Sequence, residues 1–504
     1  MTTDANGIQF PLSTEGRRST SQTTKAVFAA ALQVVAPDAA RELVADETWR
    51  QRYPGYLRAL TEGTLAHPDL AVATASAGLA EAWRSFELWR DGHGHALAAA
   101  MAAPSGRPPL ATVSLEGRDA RTPPRWWVPY RGERLEGDAL LRQLDVWERA
   151  GVAEPSHAEA LRLVQRHPEW LDLSDRTFAL LGAAAEMGPL EWLMRWRARV
   201  AAVDLRRSRV WRRIVDAALA GNGRLLAPVP AGTPSGDPDA WLERAGADLL
   251  IEPPEIAAWL TGLEAPLDVG SYAYLDGERH TRVVMAMDAI AQSVATARPG
   301  STLGYLATPT DLFAIPEAAA LAAQAAYERR ALPKRAVHGA LRAASGGRLF
   351  DPAFRPLVES SAGGRYGTAD CVILQQGPSY ALAKRLQQWR AVVARASGQT
   401  VSINVAPSST THSVTKHPLL AAGFRGASAF GLEIFDPATT RALMAALWVH
   451  DLRNPTSAAQ PSTSLRHPLE LLMLGANHGG LWRLGYLPRS VLPFAALFGL
   501  VKRR

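Results

Sequence analysis

A single cysteine, Cys371, in 504 residues excludes an internal disulfide framework and any cysteine-cluster metal site. No stretch offers eighteen uninterrupted apolar residues, which excludes a simple membrane-spanning helix. The opening residues, MTTDANGIQFPLSTEGRRSTSQTTK, lack the apolar centre of a secretory signal. Together these absences predict a cytoplasmic protein. A lysine-rich tail is also missing: the net charge of +7 comes from arginines scattered through helical stretches, which describes a solvated basic surface, and nucleic-acid binding is not expected. What is present is ordinary for a globular chain, 47% hydrophobic and 20% charged. At about 150 residues per domain, the length predicts two or three units around a large core.

Residues 1 to 24 are polar and are expected to be mobile. From Ala26 to about Ala103, apolar residues recur at three- and four-residue steps, and the spacing predicts a mainly helical domain over 25–170. His93-Gly94-His95 supplies at most half of a metal site, so no metal is expected. From Thr177 onward the pattern alternates between strand and helix. Strands are expected near Arg224–Val229, Ala247–Ile251, Leu267–Tyr274, Thr302–Ala307, Asp370–Gln375 and Thr400–Val405, with helices between them. That alternation predicts an α/β fold with a doubly wound parallel sheet over 171–455. The stretch near 336–366 fits the alternation poorly and reads as an insertion, and Pro455–Ser464 reads as a linker to a C-terminal segment.

Two constellations carry chemistry. In TFALLGAAAEMGPLEWLMRWRARVAAVDLRR, a buried-strand run breaks at Gly182, a helical pattern starts after Gly188, and a second apolar run ends at Asp204. This is close to the spacing of a dinucleotide-binding βαβ unit. There a small residue admits a pyrophosphate, the helix N-terminus offers N–H groups to its charge, and a carboxylate accepts from ribose hydroxyls. Further on, Tyr380 and Lys384 stand four apart at the start of a helix and share one face. A phenol tuned by a neighbouring ammonium can move the proton that accompanies hydride transfer at a carbonyl or carbinol. A strand then runs out at Ala406-Pro407-Ser408.

In this order the motifs resemble the short-chain dehydrogenase/reductase superfamily over roughly 176–450. GAAAEMG stands where that family has Gly-x-x-x-Gly-x-Gly, with Glu186 in place of the middle glycine. Tyr380-Ala381-Leu382-Ala383-Lys384 stands for Tyr-x-x-x-Lys, and Pro407 for the following Pro-Gly turn. The resemblance implies a Rossmann-like domain that binds NAD or NADP through Gly182, Ala184, Met187, Gly188, Asp204, Arg206 and Pro407. It also implies a small-molecule substrate and Tyr380 as acid/base with Lys384 as its electrostatic helper. The family's serine position falls on Gly367, beside Thr368, and Thr308 at the end of another strand is the alternative. Gly270-Ser271-Tyr272-Ala273-Tyr274 stands where the family has Asn-Asn-Ala-Gly.

Asp204 favours a free 2′-hydroxyl, while Arg206 and its arginine neighbours keep a 2′-phosphate open. Glu186, beside the phosphate position, is expected to turn outward and leave N–H groups near Met187 and Gly188 free. Two other readings stay open: an S-adenosylmethionine-dependent methyltransferase, and a non-catalytic binding or scaffold protein on a degenerate Rossmann fold. In the C-terminal segment, the run Val491–Val501 before Lys502-Arg503-Arg504 docks on protein, as in the arm of a homo-oligomer, or touches a membrane surface. His478 is a candidate substrate contact.

Overall fold

The short apolar runs from Thr177 onward form strands of one sheet, because their side chains need cover on both faces. Seven strands take part: β1 (Leu110–Glu116), β2 (Thr177–Leu181), β3 (Arg199–Val203), β4 (Arg224–Pro230), β5 (Asp268–Ser271), β6 (Thr302–Ala307) and β7 (Val401–Val405). Their order is β7-β6-β5-β2-β3-β4-β1, with β1 antiparallel to β4 and every other neighbour parallel. The protein is thus mixed α/β with a mostly parallel central sheet. The computed structural model describes residues 6–13, 15–103, 106–119 and 121–501.

Strand alternation sends successive side chains to opposite faces. Ala179, Leu181, Ala201, Val203, Val269 and Ile403 join the core that holds α3 (Pro253–Thr261), α4 (Glu278–Ala297) and α5 (Gly377–Ala396). Phe178, Leu180, Val200, Ala202, Leu225 and Ala227 join the core that holds α2 (Ser208–Leu219) and α6 (Pro437–Arg453). The linker from β2 to β3 carries only the six-residue α1 (Leu190–Arg195). Two glycines paired across β5 and β6, Gly270 and Gly304, make the groove that admits Trp448 of α6. A Cβ at Gly304 would lie 2.6 Å from Trp448 Cζ2, and one at Gly270 2.8 Å from its Cη2.

Several expectations need correction. Residues 7–9 form a strand paired with Glu87–Arg90 and are buried, so the opening stretch is ordered there; residues 1–5 lie outside the described residues. The 25–170 stretch is not a separate helical unit. It supplies β1 to the central sheet, and its helix Pro68–Ser85 packs on α5, with Trp83 donating to Asp288 of α4 at 2.7 Å. Ala247–Ile251 is not a strand: Ala247 N–H caps Asp204 C=O at 2.9 Å and Leu250 C=O accepts from Ile8 N–H at 2.8 Å, so the apolar residues plug the sheet end. The insertion is wider than 336–366. Between β6 and α5 lie a small antiparallel sheet of Leu312–Pro316, Arg365–Asp370 and Val358–Glu359, and the helices Glu317–Glu328 and Leu332–Ala344.

The expected linker Pro455–Ser464 is strapped down. Val401 N–H donates to Ala459 C=O, and Arg395 donates to the carbonyls of Ala458, Gln460 and Thr463. Gly304→Ala should overpack the Trp448 groove and lower stability by about 1–3 kcal/mol. Adding Trp448→Leu should recover part of that loss in urea denaturation, as coupled neighbours do; strictly additive losses would show that the groove does not exist.

Candidate active site

In parallel sheets the C-terminal strand ends gather the loops that can carry chemistry. Leu181, Val203 and Ser271 end β2, β3 and β5 at one level, and Thr308 directly follows β6. A narrow recess with room for about one water molecule is lined there by Tyr53, Thr308, Thr310, Asp311, Gln376, Tyr380 and Lys384, among others. The structure therefore brings Thr308 together with Tyr380 and Lys384, which lie far from it in sequence. Helix α5 is aimed by buried bonds to the insertion: Arg385 and Gln388 donate to the Asp311 carboxylate at 3.2 and 2.8 Å. Thr281 of α4 holds its first turn through Ser379 C=O at 2.9 Å.

The Thr308 side chain lies beside Tyr380 in the lining of this recess. Thr308 Oγ1 lies 3.0 Å from Thr310 Oγ1, which accepts from Gln376 Nε2 at 2.8 Å. Thr310 and Gln376 belong to no sequence motif; only the fold reveals them. Burial raises the Tyr380 phenol well above its usual range, and Thr308 only partly offsets this. The ring stacks on His280 at 5.4 Å and meets Tyr274 edge-on at 6.3 Å. Lys384 Nζ sits 5.9 Å from the Tyr380 ring centroid and donates to Gln387 Oε1 at 3.1 Å. The expected lowering of the phenol by Lys384 is thus not realised in this arrangement, and the phenol keeps its proton. Desolvation lowers the Lys384 amine to about 8, opposed by the Asp311 carboxylate.

The glycine turn follows β2. Gly182 has φ +89°, and a Cβ there would meet the Ala273 backbone at 2.5 Å, so the loop after β5 lies directly on it. Ala184 N–H donates to Asp204 Oδ2 and Leu205 N–H to Oδ1, both at 2.9 Å. Burial nevertheless raises the Asp204 carboxyl, against these two bonds and the nearby Arg213 and Arg207 charges. Arg213 had no signal in the motif reading. Arg206 is committed to Glu252 through two bonds of 2.8 Å and is not free for a phosphate.

Glu186 is exposed and turns away from the turn, accepting from His412 N–H at 3.0 Å. Gly188 N–H is spent on Ala185 C=O at 2.9 Å, whereas Met187 N–H has no hydrogen-bond partner among the described residues. Pro407 follows β7, and its carbonyl accepts from Ser409 Oγ at 3.0 Å.

Other candidates fall away from the recess. Gly367 and Thr368 lie in the small sheet, where Thr368 Oγ1 donates to Glu62 Oε1 at 3.2 Å. His478 is wholly buried. Its Nδ1 accepts from Gly480 N–H at 3.1 Å, so Nε2 carries the proton toward Glu154 Oε1 at 3.0 Å. The ring stacks on Trp482 at 4.7 Å, a structural tie between the C-terminal segment and Glu154. His93 and His95 lie on an exposed strand paired with Glu87–Arg90.

No family model matches this chain, and neither a curated protein nor a solved structure does.

The Lys384 shift has a signed consequence. Between about pH 8 and the ordinary 10.5, an unfolded Lys384 keeps a proton that the folded one has lost, so stability rises with pH across that window. Relative to Lys384→Met, the wild type should gain on the order of 1 kcal/mol or less between pH 8 and 9.5 in urea denaturation, a figure discounted for the partial exposure of the side chain. Parallel pH profiles of the two proteins would contradict a desolvated amine.

Proposed function

We propose that the chain is an NAD(P)-dependent oxidoreductase of divergent short-chain dehydrogenase type, acting on a carbonyl of a small-molecule substrate. The observation that carries this reading is the convergence of Thr308, Tyr380 and Lys384 on one recess at the C-terminal edge of the sheet. The strand order supports a doubly wound Rossmann arrangement. From β2 the chain steps outward through β3 and β4, returns beside β2 at β5, and continues through β6 and β7. This corresponds to 3-2-1-4-5-6, in which ligands sit at the strand ends where the order reverses.

A dinucleotide fits the turn in three respects: Glu186 faces His412, Met187 N–H is unpartnered among the described residues, and Arg207 and Arg213 lie near the ribose carboxylate Asp204. Met187 and Asp204 would hold it, and when bound its nicotinamide supplies the hydride. Tyr380 holds a proton on its phenol and donates it to the carbonyl oxygen. Thr308 stands beside that phenol, and Lys384 lines the same recess. Burial holds the phenol protonated at neutral pH, so the proton is present on Tyr380 when substrate binds. Asp204 favours NAD, while Arg207 and Arg213 keep NADP as the other choice.

A second reading has its own support: a non-catalytic binding or scaffold protein. Ala273 covers Gly182, and both Asp204 oxygens are already used by the turn.

Titration with NADH and NADPH, followed by nicotinamide fluorescence, decides between them, with S-adenosylmethionine titrated in parallel. One nicotinamide should bind. Tyr380→Phe should bind it within about threefold while losing carbonyl reduction on an aldehyde and ketone panel by roughly 10²–10⁴. No nicotinamide binding by wild type or Glu186→Gly at millimolar concentration leaves the scaffold reading. Adenosyl-ligand binding alone would favour a methyltransferase.

A further inference from the structure

Three helices far apart in sequence lie together on one side of the molecule: Leu332–Ala344, Pro418–Gly426 and Pro488–Val501. Phe350 joins the first to the third, stacking on His338 at 3.9 Å and meeting Phe494 at a tilt at 4.5 Å. The second and third pack backbone to backbone, because Gly426 faces Ala495 and Gly499 faces Ala422 with no room for a side chain. Their inner faces are thus fully used.

The outer faces are apolar without cover. Leu497, Phe498, Leu500 and Val501 are 45–65% exposed, and Leu332 is 76% exposed. Val337 and Leu419 add to them, so these helices hold half of the large exposed apolar side chains among the described residues. Single exposed apolar residues need no explanation, but a cluster of this kind marks an interaction surface.

The charge around the cluster is mainly positive, with Asp351 paired to Arg342 of the first helix at 3.0 Å. Residues 329–350, 407–432 and 471–504 contain no aspartate or glutamate, yet carry Lys334, Arg335, Arg348, Lys416 and the sequence Lys502-Arg503-Arg504. The last three residues lie outside the described residues. A second copy of this chain docking here by twofold symmetry would set cation against cation. A nucleic acid would meet the cations but leave leucine and phenylalanine wet. An anionic bilayer surface meets both, since headgroup phosphates pair with the cations and the acyl boundary takes the apolar side chains. No helix among the described residues is long and apolar enough to cross a membrane, so the contact is peripheral. We propose that this three-helix face docks the protein on anionic lipid bilayers.

Co-sedimentation of the full chain with vesicles of phosphatidylcholine alone, or of phosphatidylcholine with phosphatidylglycerol, tests the proposal. Binding should be at least about tenfold stronger on the anionic vesicles and weaken in high salt. Leu497→Glu with Phe498→Glu should reduce it about tenfold or more at unchanged thermal stability, since both side chains are exposed. Lys334→Glu with Arg335→Glu, away from the C-terminal helix, should weaken it as well. Three outcomes would overturn the proposal: no preference for anionic vesicles; binding indifferent to the 497/498 charges, which would be unspecific attraction only; or a dimer in sedimentation equilibrium that the 497/498 variant dissolves without any vesicle binding.

Discussion

The backbone of Ala273 rests on the bare Cα of Gly182. Any side chain at 182 would push this loop away, and the left-handed φ at that position strains every residue but glycine. The contact fixes where the chain goes after β5. It sets Tyr274 beside His280 and Tyr380 and so couples the turn after β2 to the recess beside α5. The two halves of the candidate site communicate through this single approach. The same contact brings chain to the place where a ligand backbone would come nearest to the turn, so it organises the site and narrows it.

Around that point, α5 is held by charges that would be costly to bury unpaired. Asp311 takes Arg385 and Gln388, and Asp288 takes Arg390 and Trp83. Asp370 takes Arg58 and Arg489 at 2.6 Å each, closing the small sheet of the insertion onto the N-terminal helices and the C-terminal helix. Removing one partner leaves a buried charge alone, so these pairs specify how the segments meet more than they add net stability. The insertion thereby becomes a wall of the recess, contributing Thr310 and Asp311.

Sequence made the centre of this arrangement legible and hid its edges. The runs at 302–307 and 401–405 are short, apolar and rich in residues that suit strands, and both are strands. Gly182, Asp204, Thr308, Tyr380 and Lys384 stood out because their chemistry is tied to local spacing. Residues 110–116 escaped notice because an edge strand with Thr112, Ser114 and Glu116 on one side lacks the apolar continuity of a buried strand. Ala247–Ile251 misled for the opposite reason: it is apolar because it plugs the sheet end. Gln376 and Thr310 had no local signature, since they stand 66 positions apart and meet only through the way the insertion folds back. The Arg58–Asp370 pair spans 312 positions, beyond the reach of any periodicity.

Hydrogen–deuterium exchange with and without saturating NADH or NADPH reads both halves of the site at once. The amides of 183–190, of the 272–280 loop and of 376–384 should exchange more slowly with the preferred nicotinamide bound, because ligand at the strand ends must press on the turn, the loop lying on Gly182 and the first turns of α5 together. Unchanged exchange in all three segments, or protection confined to a region away from the C-terminal edge of the sheet, would contradict a nucleotide site assembled there.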